Sequence, residues 1–92
     1  MGLPRPLSTV IFREVPEGAI LFSTQKEVYF SLNQLGVKIW RLLPPVCTTE
    51  DEIVAHVSRE YPDVTLGTIA FDLRRLLDEL ARNELVEVQR AA

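Results

Sequence analysis

The sequence predicts an α+β fold of the winged helix-turn-helix type, in which a three-stranded antiparallel sheet precedes three helices. Two observations carry this prediction. Apolar residues alternate along three short segments in the first third of the chain, which is the period of half-buried strands. From Asn33 onward they recur every three or four positions, which is the period of an amphipathic helix. The period changes within one stretch, Lys26 to Trp40, where a strand runs directly into a helix.

The strands are predicted over residues 9–14, 19–23 and 27–32. The first of these segments, TVIFRE, is rich in β-branched and aromatic residues, which are enriched in strands. Pro16-Glu17-Gly18 marks the turn that separates it from the second segment. Three strands joined by such short connections predict an antiparallel meander.

In a meander the third strand lies at the edge of the sheet, with unpaired backbone N–H and C=O groups. Such an edge is an aggregation hazard or a docking site, and an extended peptide can bind to it as an added strand. Alternatively, a short terminal strand from Leu85 to Val88 covers it. The residues alone leave these two alternatives open.

The helices are predicted over residues 34–43, 50–61 and 66–82, from end signals and apolar stripes. Asn33 is placed to cap the first helix, and Pro44-Pro45 ends it. Thr49 and Glu52 form a capping box that opens the second helix. Asn83 is predicted to end the third helix in the left-handed conformation. The apolar stripe of the third helix consists of Leu66, Ile69, Leu73, Leu76, Leu77 and Leu80.

Length and composition predict one domain over residues 1–92, with residues 1–7 as a flexible end. Apolar residues make up 47% of the chain, but no apolar run approaches the roughly 18 residues of a membrane span. The first ten residues lack the pattern of a secretory signal. Cys47 is the only cysteine, which excludes an internal disulfide and fits the reducing cytoplasm.

The residues that carry catalytic or metal chemistry are too few to form a site. His56 is the only histidine and has no partners at the spacing of a triad or a metal site. Cys47 has no basic residue near it in sequence to lower its pKa, so an inert thiol is expected. We therefore expect no catalytic residues, no metal and no cofactor, and the chain is predicted not to be an enzyme.

The charge distribution argues against nucleic acid as a partner. The net charge is −3, and residues 49–92 carry ten acidic and five basic side chains. A helix that reads DNA in the major groove would be the third helix. From Leu66 to Glu84 its four acids outnumber its three arginines. A phosphate-binding surface requires the opposite sign.

From Val28 onward the chain resembles the PqqD-like family, the peptide-recognition elements of ribosomal peptide natural-product pathways. The run Tyr-x-x-Leu-Asn-x-x-Gly-x-x-Ile-Trp is most similar to the stand-alone leader-binding proteins of lasso peptide clusters. The chain departs from the family at two places. It has Asn83-Glu84-Leu85 where the family usually has a glycine before the leucine, and it has Pro44-Pro45-Val46 where the family commonly has a glycine-containing loop. The matching residues are Tyr29, Leu32, Asn33, Gly36, Ile39, Trp40, Leu42, Leu43, Thr49, Ile53, Tyr61, Pro62, Ala70, Asp72, Leu73, Leu76, Leu77, Leu80, Leu85 and Val86.

The resemblance implies a non-catalytic adaptor that binds the leader of a precursor peptide. The leader would add to the third strand, lie against the third helix and be delivered to a separate leader peptidase. The alternatives are a PqqD-type carrier for a radical SAM enzyme and, less favoured, a winged-helix DNA-binding protein. The implied partners are therefore the precursor peptide and a processing enzyme, with no nucleic acid and no membrane. The expected peptide-binding residues are Glu27, Val28, Tyr29, Phe30, Ser31, Asp72, Arg75, Leu76 and Glu79.

Overall fold

The computed structural model describes residues 3–87. It confirms the predicted α+β fold, with three antiparallel strands followed by three helices, and shows a short strand within the expected terminal segment 85–88 and an unexpected one near the N-terminus. The strands are β1 (Arg5–Pro6), β2 (Val10–Val15), β3 (Gly18–Ser23), β4 (Val28–Asn33) and β5 (Val86–Glu87). The helices are α1 (Gln34–Leu42), α2 (Glu50–Glu60) and α3 (Leu66–Arg82).

The main sheet has the strand order β2-β3-β4, and both pairs of neighbours are antiparallel. Val15 pairs with Gly18 across a tight turn, and Gly18 also lies opposite Asn33 of β4. Gly18 has a φ of 156°, and a Cβ built there would lie 1.9 Å from the carbonyl oxygen of Leu32. Only glycine fits this position, where the turn and the close approach of β4 coincide.

The hydrophobic core lies between the inner face of the sheet and the three helices. Leu21 from β3, Ile39 from α1 and Ile53 from α2 are almost completely buried there. Leu73 and Leu80 of the predicted α3 stripe join the same cluster, whereas Leu66, the first residue of that stripe, is 61% exposed. Within residues 3–87, no helix has both the length and the apolar character needed to cross a membrane.

The predicted helix starts are confirmed in atomic detail. The side chain of Asn33 accepts the backbone N–H of Gly36 at 2.8 Å, so α1 begins directly after β4 without a loop. Thr49 and Glu52 form the reciprocal capping box of α2. Each cap provides a partner for a backbone N–H of a first helical turn, which otherwise has none within the helix.

The end of α3 differs from the prediction by one residue. Asn83 has a φ of −89°, and the left-handed conformation belongs instead to Glu84, with a φ of 56°. The reason lies in the backbone hydrogen bonds that close the helix: the N–H of Glu84 donates to the carbonyl of Ala81, and the next N–H donates to the carbonyl of Leu80. This pattern places the left-handed residue at Glu84. The side-chain amide of Asn83 donates at 2.8 Å to the carbonyl of Glu79, which already accepts the backbone N–H of Asn83.

The N-terminal segment also differs from the expected flexible end. Within the predicted range 1–7, β1 pairs with β5, so that Arg5 lies opposite Glu87 and Pro6 opposite Val86. Leu3 is 4% exposed and belongs to the core, and the N–H of Leu7 donates to the carbonyl of Leu85. The flexible end is therefore wrong for residues 3–7, because one buried leucine and a strand pair attach the segment to the domain.

Candidate functional site

The outer edge of β4 has no partner strand within residues 3–87. The alternative that a terminal strand covers it does not hold for the described part of that strand. β5 pairs with β1 in a separate two-stranded sheet. Val88, the last residue of the predicted terminal strand, lies outside the described residues.

The register shows which residues of β4 direct their backbone groups outward. The N–H of Thr24, next to β3, donates to the carbonyl of Thr9, next to β2. Because backbone direction alternates along a strand, Ser23 and every second residue before it must face β4. Their partners in β4 are Val28, Phe30 and Leu32. The intervening Tyr29 and Ser31 therefore present their N–H and C=O groups at the open edge.

A groove with a volume of about 190 Å³ lies between β4 and α3. Its orientation follows from an ion pair at 3.0 Å between Lys26, just before β4, and Glu84, just after α3. The start of β4 thus lies near the end of α3, and the two elements run in opposite directions. An added strand at the edge of β4 would therefore lie beside residues 72–79 of α3, the part of the helix that lines the groove.

The groove has an apolar floor and a charged rim. Leu32 and Ile39 form part of the floor and are 5% and 1% exposed. On the α3 side, the half-buried Leu76 lies among three charged residues, Asp72, Arg75 and Glu79. Arg75 lies 3.7 Å from Asp72, a separation at which an exposed pair contributes little. The rim thus offers an arginine and two carboxylates to a bound chain above an apolar floor.

Six of the nine residues expected to bind the peptide line this groove, namely Phe30, Ser31, Asp72, Arg75, Leu76 and Glu79. The other three lie elsewhere. Glu27 is in the turn before β4, where its N–H donates to the carbonyl of Ser23 at 2.8 Å. Val28 is 37% exposed at the start of β4. Tyr29 is 74% exposed and belongs to the opposite face of the sheet, where its ring lies 4.7 Å from that of Phe22.

The expected site omitted the residues at the junction of β4 and α1. Leu32, Asn33, Leu35, Gly36 and Ile39 also line the groove. The sequence feature that indicates these residues is Gly36. A glycine inside a helix lowers helix stability by about 1 kcal/mol relative to alanine, so a compensating contact is expected. A Cβ at Gly36 would lie 3.0 Å from Cδ2 of Leu32. The glycine allows α1 to approach β4 closely and so shapes one end of the groove.

The reactive side chains do not form a catalytic site within the described residues. Cys47 is 2% exposed, and burial, together with the carboxylate of Glu52, raises the pKa of its thiol. His56 is exposed on α2. No group of three potential metal ligands occurs among residues 3–87. The groove beside β4 is a concave feature that borders an unpaired strand edge.

Comparison with known proteins gives two matches. The family model described as coenzyme PQQ synthesis protein D (PqqD) matches residues 18–86, which include β3, β4 and all three helices. A solved structure described as TbiB1 in complex with the TbiA(beta) leader peptide has a TM-score of 0.81 and 31% sequence identity. The similarity covers 95% of this chain and 99% of that one. No curated protein matches the sequence.

Proposed function

The chain belongs to the PqqD family, and from this premise we propose that it is a non-catalytic adaptor for a ribosomally made precursor peptide. The leader segment of the precursor binds as an added strand on β4, beside α3. The adaptor then delivers the precursor to a leader peptidase in cytoplasmic lasso peptide biosynthesis. One observation carries the proposal: the unpaired edge of β4 borders a groove with an apolar floor. The similarity to TbiB1, whose structure contains a leader peptide, supports it.

Backbone pairing alone cannot account for binding. Tyr29 and Ser31 each offer one donor and one acceptor, and four hydrogen bonds contribute about 2–6 kcal/mol in total. Ordering the backbone of five peptide residues costs about 5–10 kcal/mol. Net affinity must therefore come from peptide side chains, each of which contributes about 1.5–3 kcal/mol when fully buried. The half-buried Phe30, Leu35 and Leu76, which line the groove, provide the apolar surface for them.

One alternative has a specific observation in its favour. The matching family model is described by the synthesis of coenzyme PQQ, which favours a carrier that presents its peptide to a radical SAM enzyme. Both functions use the same groove and differ only in the enzyme that receives the peptide. Reconstitution with each class of enzyme separates the two functions. If the chain accelerates leader cleavage by a peptidase, the lasso peptide function is supported. If it accelerates modification of the core peptide by a radical SAM enzyme, the carrier function is supported.

DNA binding has less support, because two of the three exposed arginines of α3 lie beside carboxylates. Nε of Arg74 lies 3.1 Å from Glu50, and Arg75 lies beside Asp72. Phosphate binding would have to replace these contacts on a helix whose three arginines are matched by three acids.

Strand addition is tested by substitutions at Ser31. We expect a displayed library of random short peptides, selected on the intact chain, to yield peptides that bind the Ser31→Ala variant normally. The same peptides should not bind Ser31→Pro, because proline removes the outward N–H that an added strand requires. Calorimetric titration of each variant with the selected peptides measures the difference.

Ser31→Ala is the matched control, since it removes the same hydroxyl but keeps the backbone donor. Circular dichroism should show that Ser31→Pro remains folded, because the N–H of Ser31 does not take part in pairing with β3. Equal affinity of both variants for the selected peptides, or no enrichment of any peptide, would contradict the proposed function.

A further inference from the structure

We propose that Tyr29 reads one side chain of the bound peptide on the solvent-facing side of the sheet, opposite to the groove. The site then selects extended peptides in which an aromatic or β-branched residue is adjacent in sequence to an apolar residue that enters the groove. This inference rests on the proposed function and deepens it, because it assigns a sequence pattern to the bound peptide.

The solvent-facing side of the sheet carries an apolar row that ends at the open edge. The register places Ile11 of β2 beside Phe22 of β3, and Phe22 beside Tyr29 of β4. Ile11 and Tyr29 are 54% and 74% exposed. The rings of Phe22 and Tyr29 lie 4.7 Å apart at an angle of 38°. One flank of the Tyr29 side chain thus contacts Phe22, and the row stops at the edge of β4.

An added strand would provide the next member of this row. In an antiparallel added strand, Tyr29, which directs its N–H and C=O outward, forms a hydrogen-bonded pair with the peptide residue directly opposite. Side chains of directly opposite residues lie on the same face of a sheet, with their Cβ atoms about 5 Å apart. The peptide side chain opposite Tyr29 therefore lies against the free flank of the tyrosine and continues the row Ile11–Phe22–Tyr29.

The chemistry of the row decides which peptide side chain fits. Aromatic rings pair favourably across strands with other aromatic and with β-branched side chains. Such a side chain would cover apolar surface that is open to water in the free protein, since Tyr29 is 74% exposed. A small or acidic side chain at this position would leave that surface uncovered.

The neighbouring row supplies an internal comparison. Arg13, Ile20 and Ser31 lie side by side on the same face, so this row ends in a small polar residue. The peptide residue opposite Ser31 meets no exposed ring and should tolerate substitution. Between these two peptide residues lies the one opposite Phe30, whose side chain points to the other face and toward the groove. The peptide is thus read at two adjacent positions, one on each face of the sheet.

The experiment is a double-mutant cycle between Tyr29 and peptides selected from the displayed random library on the wild-type chain. Alanine is substituted at each position of a selected peptide, and each peptide is titrated against wild type and Tyr29→Ala. Besides the position that enters the groove, we expect one position at which alanine weakens binding to wild type by roughly three- to tenfold. The same substitution should have little effect on binding to Tyr29→Ala, because the partner ring is absent.

Ser31→Ala serves as the matched control. It changes the neighbouring outward residue, and the loss at the position identified with Tyr29 should persist in it. Tyr29→Phe should retain the affinity of wild type for the selected peptides, since the ring and not the hydroxyl makes the contact.

The outcomes separate the inference from the function on which it rests. In one outcome, the loss of affinity from Tyr29→Ala and the loss from each peptide substitution are additive, and Ser31→Pro still abolishes binding. This outcome would overturn the inference and leave the proposed function standing. Normal binding by Ser31→Pro, or the absence of selected peptides, would overturn both.

Discussion

Single residues decide where the elements of this chain begin and how closely they approach one another. Asn33 is both the last residue of β4 and the N-cap of α1. The edge strand therefore connects directly to the helix that forms part of the groove floor. Gly18 and Gly36 allow close approaches to β4, the first at the carbonyl of Leu32 and the second at its side chain. These residues have no reactive chemistry; Asn33 and Gly36 line the groove and shape it, whereas Gly18 allows the turn beside β4.

We expect the contribution of the α2 capping box to the free energy of unfolding to depend on pH. The carboxylate of Glu52 accepts hydrogen bonds from the backbone and hydroxyl of Thr48 and from those of Thr49. These bonds, led by the one from the backbone of Thr48, lower the pKa of Glu52 below its ordinary value of 4.5. Because the pKa is lowered in the folded state, the ionised carboxylate stabilises the fold at pH values above the ordinary pKa of the group. This contribution is lost as the pH falls through the folded-state pKa.

We therefore expect Glu52→Gln to be less stable than wild type at neutral pH, with the difference narrowing as the pH falls below 4.5. Urea denaturation at a series of pH values measures the free energy of unfolding of both proteins. Glu17→Gln, an exposed substitution in the turn between β2 and β3, serves as the control for a change in net charge. A difference between wild type and Glu52→Gln that stays constant with pH would show that the cap does not depend on ionisation.

At the scale of elements, α3 has two distinct faces. Leu73 and Leu80 are fully buried in the core, whereas Asp72, Arg75 and Glu79 are on the groove rim. Helical periodicity separates these faces, because the core residues recur on one stripe and the rim residues lie on the adjacent one. The same helix can therefore hold the fold together and present charged groups to a peptide.

Charge reversal at Arg75 tests whether the rim of α3 contacts the peptide. Arg75→Glu leaves only carboxylates among the charged residues that line the groove. A hydrogen bond to a charged group contributes about 1.5–3 kcal/mol, so the affinity for peptides selected on wild type should fall by about tenfold or more. Calorimetric titration with these peptides measures the loss.

Arg59→Glu is the matched control, since Arg59 is exposed on α2 and undergoes the same change of charge away from the groove. Its effect on peptide affinity should be small and should disappear at high salt. Equal losses in the two variants would remove α3 from the binding site.

At the scale of the whole molecule, the two ends of the described chain meet on the domain. Leu3 lies in the core, and β1 pairs with β5, which directly follows the turn after α3. This contact keeps β5 away from the edge of β4 within the described residues. The N-terminal segment thus contributes to stability and also to the openness of the proposed binding edge.

The stabilising contribution of the N-terminal segment can be measured with Leu3→Ala. A buried leucine truncated to alanine typically costs about 2–5 kcal/mol, because apolar contact is lost and a cavity remains. We expect a loss of this size in the free energy of unfolding, with peptide affinity of the folded variant unchanged. Val46→Ala removes apolar atoms from a side chain that is 62% exposed and should change stability little. A loss from Leu3→Ala no larger than that from Val46→Ala would show that the segment is not part of the core.

The sequence by itself determined the elements and their order. The strands of the main sheet, the three helices, the cap at Asn33 and the capping box at Thr49 and Glu52 were all predictable. The physical reason is that periodicity and capping depend on residues within about one helical turn or a few strand positions of each other. The end of α3 shows the limit of such reasoning, because the left-handed residue is Glu84 and not Asn83, and the backbone hydrogen bonds that close the helix fix this position.

Only the tertiary structure decided how the surface of β4 is divided. Alternation predicted that neighbouring residues face opposite sides, but not that Tyr29 and Ser31 direct their backbone toward the open edge. That depends on the register with β3, which is set by turns and packing across the sheet. The groove, which brings Leu32 near Leu76, and the pairing of β1 with β5 likewise join residues far apart in the chain. A local pattern does not specify such contacts, because they form only when the helices pack on the sheet.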